Sequence, residues 1–367
     1  MELNSLQRNP IKMRYYIALI ILSLPLFGCK KSNGDAPEVK ELIIRAADIS
    51  ALPEIEQAGT IFYDHSGTAK DVLTILHENG CNTIRIRLWH TPETEHSGLQ
   101  EVIQLAERVK EKGMKVWLDF HYSDTWADPG TQDKPAAWES LTTAELADSV
   151  YSYTQKVMAL IEPEYVQIGN EINAGFLWNN GHINNQADFI TLLKSGIEAV
   201  RDHHPETKII IHYAGYNAAS WFFGVLQNQN VDYDIIGLSY YPAWHGKSFD
   251  ELTTALNQLV AGIKKDIVIA ETAYPFTLEW NDWTNNSVGL ASHLMSGYPA
   301  TELGQKVFLL DLKEVIAKCP KGIGFAYWAP EWVAFKGAEA TNGSPWENMT
   351  LFDFDNKALS GMEVFNP

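Results

Sequence analysis

Short apolar runs alternate with longer amphipathic segments along most of the chain. The short runs are rich in β-branched residues and almost continuously apolar, which predicts strands buried on both faces. In the longer segments, apolar residues recur every three or four positions, which predicts helices with one buried face. The predicted strands cover residues 42–48, 83–89, 115–122, 165–171, 208–213, 234–241, 266–271 and 322–328.

Eight strands alternating with helices predict an α/β fold with a parallel sheet. Eight is also the number that closes a (β/α)8 TIM barrel at about this length. We therefore expect residues 42–367 to form a single barrel domain. The alternative is an open, doubly wound sheet. That fold favours a Gly-rich phosphate loop after its first strand, and LIIRAADISALPE, residues 42–54, contains none.

The predicted loops are long at one end of this barrel. Strand-to-helix connections at 122–141, 171–186, 272–299 and 329–348 are long, whereas helix-to-strand connections are short. Of the 12 Trp residues, all except Trp117 lie at or beyond the C-terminal end of a predicted strand. Barrel active sites are built at that end. Indole rings stack on flat sugar faces and polar groups read the hydroxyls, so the pattern predicts a sugar-binding cleft.

Charge narrows the class of partner. The 367-residue chain has a formal net charge of −18, which leaves no Lys/Arg cluster to neutralise phosphates. The same balance is unsuited to electrostatic binding of an anionic membrane. We therefore expect no nucleic-acid partner and a neutral ligand. Nothing in the sequence indicates an obligate oligomer, so a monomer is expected.

Residues 1–29 are predicted to be a lipoprotein signal segment. A basic stretch precedes an apolar run of about eleven residues, 17–27, which is too short to cross a bilayer. The run ends in Leu-Phe-Gly-Cys, which resembles a bacterial lipobox, so Cys29 would carry a lipid anchor to the outer membrane, facing the surface or the periplasm. A plain secretory signal is the alternative. Residues 30–41 are predicted to be a polar tether.

Two further cysteines, Cys81 and Cys319, lie among apolar residues. No spacing of Cys or His indicates a zinc site. An exported protein could join the two thiols in a disulfide, but two buried free thiols that act as small apolar groups are the preferred interpretation.

Two glutamates follow apolar strands. Glu171 ends the fourth strand, in VQIGNEIN, and Glu271 ends the seventh, in IVIAETAYP. In a barrel these strand ends face each other across the mouth, so both carboxylates can flank one bond. Such a pair suits glycosidic cleavage, because one carboxyl protonates the leaving oxygen while the other attacks or activates water. Asn170 could bind a sugar 2-hydroxyl, and Tyr241 could hold the Glu271 carboxylate by its hydroxyl.

The Asn-Glu pair on strand four and the second Glu on strand seven resemble the retaining (β/α)8 glycosidases of clan A. In that clan the first Glu is the acid/base and the second is the nucleophile, which implies these roles for Glu171 and Glu271. The carboxylates of retaining enzymes lie about 5–5.5 Å apart. At that separation an anionic Glu271 would keep Glu171 protonated until the covalent intermediate forms.

The resemblance becomes specific in the loop FHYSDTWADPG, residues 120–130. Together with TIRIRLW, VQIGNEINAGFLW, GLSYYP and ETAYPF, it resembles glycoside hydrolase family 53, the endo-β-1,4-galactanases, over about residues 45–365. The resemblance implies endo-acting, retaining hydrolysis of β-1,4-galactan or type I arabinogalactan, the side chains of pectin, by residues 42–367 as a catalytic domain.

Several residues are expected to support this site. Arg85 and Arg87 share a face of the second strand, and the clan resemblance favours Arg87 as the group that orients the nucleophile. Arg85 either does the same or pairs with Asp48 or Asp119. The full set expected to bind substrate or support catalysis lies at strand ends or in the specific loop: Arg87, His121, Asp124, Trp126, Asp128, Asn170, His212, Tyr241 and Trp328.

The chain departs from the family pattern in two places. After strand eight the family commonly reads Trp-Glu-Pro, whereas here Ala329 follows Trp328 and the glutamate is displaced to Glu331. Bacterial relatives often carry a calcium loop after strand seven, of which Asp282 and Asn286 remain as candidate ligands. Calcium takes six to eight oxygens and this loop offers few, so a structural Ca2+ stays open. No cofactor is expected for catalysis.

Two other functions remain open. A clan A endoglycanase acting on another β-1,4-glycan would carry the same glutamate pair, and only the FHYSDTWADPG loop favours galactan. A non-catalytic glycan-binding surface lipoprotein would explain the aromatic face and the anchor. Such a binder has no use for both Glu171 and Glu271, because two closely spaced carboxylates repel each other.

Overall fold

The computed structural model describes residues 40–367, and in that range eight parallel strands close a barrel in chain order. The first strand pairs with the last, which completes the ring. The predicted TIM barrel is confirmed. The predicted signal segment and nearly all of the tether lie outside the described residues. The strands are β1 (Ile44–Asp48), β2 (Thr83–Leu88), β3 (Lys115–Phe120), β4 (Tyr165–Ile168), β5 (Lys208–Ala214), β6 (Ile235–Ser239), β7 (Asp266–Thr272) and β8 (Gly322–Trp328).

Helices form because each segment carries one apolar face, and four of those in residues 40–367 begin with a side-chain cap. The longest begins with a capping box, in which the side chains of Thr142 and Glu145 satisfy each other's backbone N–H groups. Its apolar residues, such as Val150 and Met158, are buried. The helices of residues 40–367 are α1 (Leu52–Gln57), α2 (Val72–Glu78), α3 (Leu99–Glu111), α4 (Thr143–Ile161), α5 (Gln186–His203), α6 (Ala219–Asn228), α7 (Pro242–His245), α8 (Phe249–Ile263) and α9 (Glu302–Lys318).

The eighth strand–helix unit differs from the prediction. After β8 the described chain forms only short 3-10 helices, and the last of them, Ser360–Phe365, packs against α9 where an eighth α-helix would lie. None of the helices in residues 40–367 is long and apolar enough to cross a membrane. Cys81 and Cys319 are both buried and free, as the preferred interpretation expected.

The barrel interior changes from apolar to polar toward the C-terminal ends of the strands. Successive residues of a strand point to opposite faces, so residues two apart share the inner face. In β1 the inner face runs from Ile44 and Ala46, both in the inner apolar cluster, to Asp48. In β3 it runs from Trp117 to Asp119. The resulting buried polar layer contains Asp48, Arg85, Asp119, Gln167, His212 and Ser239.

The chain around each glutamate is irregular. β4 ends at Ile168, three residues before the predicted end, and Glu171 lies in a turn with φ +47°. The turn needs Gly169, whose φ is +81° and whose added Cβ would lie 2.6 Å from Ile172. In β7 the pairing with β6 shifts register, so that Ser239 is opposite Glu271. A bulge of this kind re-aims the next side chain, which turns Glu271 toward the interior.

Candidate active site

A cleft of about 300 Å3 opens at the C-terminal ends of the strands, above the buried polar layer. Both Glu171 and Glu271 line it, so the structure brings the two predicted carboxyl groups into one site. The cleft is also lined by several of the other predicted site residues, namely Arg87, His121, Trp126, Asp128, Asn170 and Trp328.

The Glu271 carboxylate is held at both oxygens. Nη1 of Arg85 lies 2.9 Å from Oε1, and the Tyr241 hydroxyl donates to Oε2 at 3.1 Å. Burial raises the pKa of the Tyr241 hydroxyl well above its usual value, so the hydroxyl keeps its proton and remains a donor. The predicted contact between the Tyr241 hydroxyl and the Glu271 carboxylate is present in the structure.

The prediction that Arg87 orients the Glu271 carboxylate is wrong, because Arg85 is the arginine that contacts it. The guanidinium of Arg85 contacts Asp48 at 2.7 Å and Asp119 at 2.8 Å as well as Glu271. Both options considered for Arg85 therefore hold at once. Arg85 and Arg87 lie on the same face of the strand, and the sequence did not show which of them is level with the Glu271 carboxylate along the barrel axis.

Arg87 lies two residues nearer the mouth and has a different environment. Its guanidinium carbon is 3.9 Å from the ring centre of Trp126 and 4.7 Å from that of Trp89. Nη2 donates to Oγ of Ser97 at 2.9 Å. A cation between two indole faces is attracted to both rings. Arg87 therefore fixes aromatic rings of the cleft wall.

Glu171 has one side-chain hydrogen-bond partner among residues 40–367. Oγ of Ser239 donates to its Oε1. Burial raises the pKa of the Glu171 carboxyl to about 7, and the hydrogen bond from Ser239 opposes that shift. Burial also raises the pKa of Glu271, while the neighbouring Arg85 guanidinium lowers it. Arg85 and Tyr241 both contact the Glu271 carboxylate and favour its charged form, whereas Ser239 alone hydrogen-bonds the Glu171 side chain within residues 40–367.

Asn170 and His212 are fixed in the polar layer beside Glu171. Oδ1 of Asn170 accepts from Arg85 Nη2 at 2.8 Å, and Nδ2 donates to the Ala127 carbonyl at 2.8 Å. Nδ1 of His212 lies 2.9 Å from the same Oδ1. His212 is fully buried and lies behind Asn170 and Ser239, outside the cleft lining. It therefore positions other groups and does not contact a ligand.

His121 organises the loop that follows β3. Its Nδ1 accepts the backbone N–H of Ala127 at 3.0 Å, so Nε2 carries the hydrogen that binds Asp119 at 3.1 Å. The loop places Trp126 and Asp128 in the cleft, and Oδ1 of Asp128 accepts the backbone N–H of Gly130 at 2.7 Å.

Asp124 differs from the predicted subsite residue. Its two oxygens accept backbone N–H groups of Thr91 and Ala136, each at 2.8 Å. It lies outside the cleft lining and joins the loops after β2 and β3. The structure thus shows Asp124 holding two loops together, and it does not place its carboxylate in the cleft.

An aromatic wall forms one side of the cleft, defined by Trp126, Trp328, Trp332 and Trp346. The rings of Trp126 and Trp332 are nearly parallel with centres 6.2 Å apart. Trp328 stands edge-on to Trp346 with ring centres 4.6 Å apart. The wall thus presents flat indole faces of the kind on which pyranose rings stack.

The displaced glutamate after β8 does not line the cleft. Glu331 is fully buried, its Oε1 accepts the backbone N–H of Ala51 at 3.1 Å, and burial raises the pKa of its carboxyl well above the usual value. Ala329 adopts φ +54° where the chain turns away from the strand. Glu331 therefore braces the loop after β1.

Three polar residues of the site were missed in the sequence. Gln167 bonds Asp119 at 2.6 Å and Asn170 at 3.0 Å, Ser239 bonds Glu171, and Gln132 holds the Asn170 carbonyl at 2.7 Å. The available signal was a polar residue inside an otherwise apolar strand, Gln167 in YVQI and Ser239 in IIGLS.

The candidate calcium ligands do not make a complete site. Oδ1 of Asp282 accepts the backbone N–H of Thr284 at 2.6 Å, while Asp282 Oδ2 and Asn286 Oδ1 are buried without a hydrogen-bond partner. In residues 40–367, no group of three or more His, Cys, Asp or Glu side chains is arranged to hold a metal ion. The donor set falls short of the six to eight oxygens that calcium takes.

Comparison with known proteins gives one consistent result. The profile of Glycosyl hydrolase family 53 matches residues 44–365. An uncharacterized protein of Niallia circulans is 41% identical over 348 residues, which are 89% of this chain and 94% of that protein. The arabinogalactan endo-β-1,4-galactanase of Cellvibrio japonicus is 38% identical over 328 residues, 85% of this chain and 86% of that enzyme. The GH53 catalytic domain of Ignisphaera aggregans superposes with a TM-score of 0.85 at 39% identity, covering 90% of this chain and 97% of that domain.

Proposed function

Because the chain belongs to glycosyl hydrolase family 53 and is therefore a glycoside hydrolase, we propose that it cleaves β-1,4-galactosidic bonds within galactan or type I arabinogalactan chains. The observation that carries the proposal is the pairing of Glu171 and Glu271 in one cleft beside a wall of indoles. A carboxyl pair supplies the chemistry, and the aromatic wall suits a polymer of pyranose rings.

The first half-reaction forms a covalent intermediate. After the second half-reaction the anomeric configuration of the product is the same as that of the substrate. The ionised Glu271 carboxylate attacks the anomeric carbon while the bond to the glycosidic oxygen breaks. Glu171 gives its proton to that oxygen, which leaves as a sugar hydroxyl. Arg85 and Tyr241 fix the attacking carboxylate beforehand, so little reorganisation is needed when the reaction occurs.

The second half-reaction reverses these roles. Once Glu271 is esterified its negative charge is gone, so the pKa of Glu171 falls and Glu171 ionises. The Glu171 carboxylate then takes a proton from water, and the water oxygen bonds to the anomeric carbon. The ester bond breaks and its electron pair returns to Glu271. No step needs a cofactor.

The test of the proposed function is a substrate comparison with the purified protein. Linear β-1,4-galactan, mannan, xylan and β-glucan are incubated with the unaltered protein and with the Glu171→Gln and Glu271→Gln variants. Galactan fragments of intermediate length appearing early, and lost in both variants, are the expected result. Cleavage of a different polymer would contradict the substrate assignment. Binding of galactan without cleavage would favour the non-catalytic capture protein.

The lipid anchor and the structural calcium remain parts of this proposal. Cys29 lies outside the described residues, and its lipidation with outer-membrane attachment rests on the sequence pattern of residues 1–29. Incorporation of labelled palmitate, lost in Cys29→Ala, is the expected result. For calcium, the support is the two buried oxygens of Asp282 and Asn286 that have no hydrogen-bond partner.

A further inference from the structure

A buried row of hydrogen bonds runs behind Glu171, away from the cleft. Ser239, at the end of β6, donates to Oε1 of Glu171. Oγ of Ser239 lies 2.9 Å from Nε2 of His212 on β5, and Nδ1 of His212 lies 2.9 Å from Oδ1 of Asn170. Ser239 and His212 are 1% and 0% exposed, so solvent does not replace these contacts.

The far end of the row has a fixed direction. Arg85 only donates, and its Nη2 points to Asn170 at 2.8 Å, which identifies the contacted atom as the amide oxygen. The Nε2 group of Gln167 has two hydrogens, and its shortest contacts are with Asp119 at 2.6 Å and Asn170 at 3.0 Å. These contacts use both hydrogens and leave none for Nδ1 of His212, which lies 3.1 Å from the same nitrogen. Because the Asn170 oxygen only accepts, Nδ1 of His212 carries the hydrogen of that contact.

Nε2 of His212 is consequently a lone-pair acceptor. Burial, followed by the positive charge of Arg85, lowers the pKa of His212 well below its usual value, so the imidazole stays neutral. A neutral imidazole with its hydrogen on Nδ1 can accept at Nε2 and cannot donate there. The Ser239 hydroxyl, the one group of the row that can rotate freely, lies between this acceptor and Glu171.

We propose that Ser239 is a two-position hydroxyl switch that serves both protonation states of the acid/base Glu171. When Glu171 is protonated, the hydroxyl can donate to His212 and accept from the acid. When Glu171 is ionised, the hydroxyl rotates and donates to its Oε1. The inference rests on the proposed function for the assignment of Glu171 as the acid/base. Ser239 is a positioning residue, because it acts through Glu171.

The charged surroundings leave the ionised Glu171 dependent on this hydroxyl. Arg85 on β2 favours the charged form, whereas Asp119 on β3 and Asp128 in the next loop disfavour it. Glu271 on β7 and the Tyr241 hydroxyl after β6 also face this carboxyl. Ser239 is the only side chain in residues 40–367 that donates a hydrogen bond to it.

The switch matters more in the second half-reaction, in which Glu171 is ionised and acts as base. Loss of the hydroxyl removes the donor to the charged form and leaves the acid form free to bind the substrate oxygen. Ser239→Ala should therefore raise the pKa of Glu171 and slow hydrolysis of the covalent intermediate more than its formation.

The kinetic test uses 4-nitrophenyl β-1,4-galactobioside, whose good leaving group makes formation of the intermediate fast. In Ser239→Ala we expect kcat and KM to fall together by roughly tenfold, because the intermediate accumulates. Azide, which needs no base when it attacks the anomeric carbon, should restore turnover as galactobiosyl azide. With soluble galactan, whose sugar leaving group needs the acid, the alkaline limb of kcat/KM should move up by about one pH unit. Ser239→Thr, which keeps the hydroxyl, should keep the alkaline limb of kcat/KM at the pH of the unaltered protein.

A readout independent of turnover is the titration of the Glu171 carboxyl by 13C NMR, assigned with Glu171→Gln. The hydrogen bond that Ser239 donates to the charged carboxylate is stronger than the one it accepts from the neutral acid. The expected result is therefore a pKa about one unit higher in Ser239→Ala than in the unaltered protein. An unchanged pKa would overturn the switch whatever the substrate is. A loss of kcat that azide does not restore, with an earlier thermal transition, would show a merely structural serine. Failure of the unaltered protein to release nitrophenol would contradict the proposed function alone.

Discussion

Nη1 of Arg85 lies 2.9 Å from Oε1 of Glu271, and the same guanidinium contacts the carboxylates of Asp48 and Asp119. One buried cation therefore contacts three buried carboxylates, and its position fixes that of the Glu271 carboxylate. Burial lowers the pKa of Arg85, but the three carboxylates outweigh it and hold the guanidinium in its charged form. Structure and chemistry at this site consequently depend on one side chain.

Arg85→Met should abolish measurable kcat and destabilise the fold by about 3–5 kcal/mol, because it leaves the buried carboxylates without a cation. Urea unfolding and galactan hydrolysis measure the two effects. Arg87→Lys is the matched control, since Arg87 bears on Trp89 and Trp126 and not on the nucleophile. A smaller effect of Arg85→Met than of Arg87→Lys would contradict the assignment of Arg85.

Tyr241→Phe should lower kcat by about ten- to a hundredfold with little change in the thermal transition. The substitution removes only the hydroxyl that binds Glu271 Oε2 at 3.1 Å. Tyr240→Phe is the control, because the Tyr240 hydroxyl donates to the Gly246 carbonyl at 3.1 Å. Equal losses in the two variants would mean that the Tyr241 hydroxyl has no special part in the reaction.

The pH profile of kcat/KM should show an alkaline limb near the pKa of Glu171, which burial raises to about 7. Glu171 must be protonated to act as acid, so activity is present below this pKa and is lost as pH rises through it. Initial rates on soluble galactan between pH 4 and pH 10 measure the profile. Full activity maintained to pH 9 would be incompatible with Glu171 as the acid.

Chelation should leave kcat unchanged, because the carboxyl pair needs no metal. Rates are compared before and after dialysis against EDTA, with Asp282→Asn as the control for a purely structural ion. If calcium binds at Asp282 and Asn286, added Ca2+ raises the thermal transition of the unaltered protein and not that of the variant. Loss of activity in EDTA that calcium restores, at temperatures where the protein stays folded, would contradict the metal-free reaction.

The sequence was sufficient to predict those site residues that lie at the ends of strands. Glu171, Glu271, Asn170 and Tyr241 follow apolar runs, and a closed barrel brings the ends of such runs to one mouth. These residues could be predicted because strand position alone carries the information.

The sequence did not reveal features that depend on how far along the barrel axis a side chain lies and on how neighbouring strands pair. Arg85 and Arg87 share a face, and only the packed barrel shows that Arg85 reaches Glu271. The bulge in β7 changes which side Glu271 faces, yet nothing in IVIAETAYP marks it. Ser239 was missed because a serine within a strand does not by itself indicate a function. Its importance comes from its contacts with Glu171 and His212, which lie elsewhere in the chain.

The most direct test of the central claim traps the covalent intermediate. A 2-deoxy-2-fluoro-β-galactobioside with a dinitrophenyl leaving group should inactivate the protein with release of one dinitrophenolate per chain. The electron-withdrawing fluorine slows both half-reactions. The dinitrophenyl leaving group restores the rate of the first half-reaction only, so the covalent intermediate accumulates. Mass spectrometry of the digested protein should then find the added sugar on the peptide that contains Glu271. Attachment to any other residue, or hydrolysis without a trapped adduct and with inversion of the product anomer, would contradict the account.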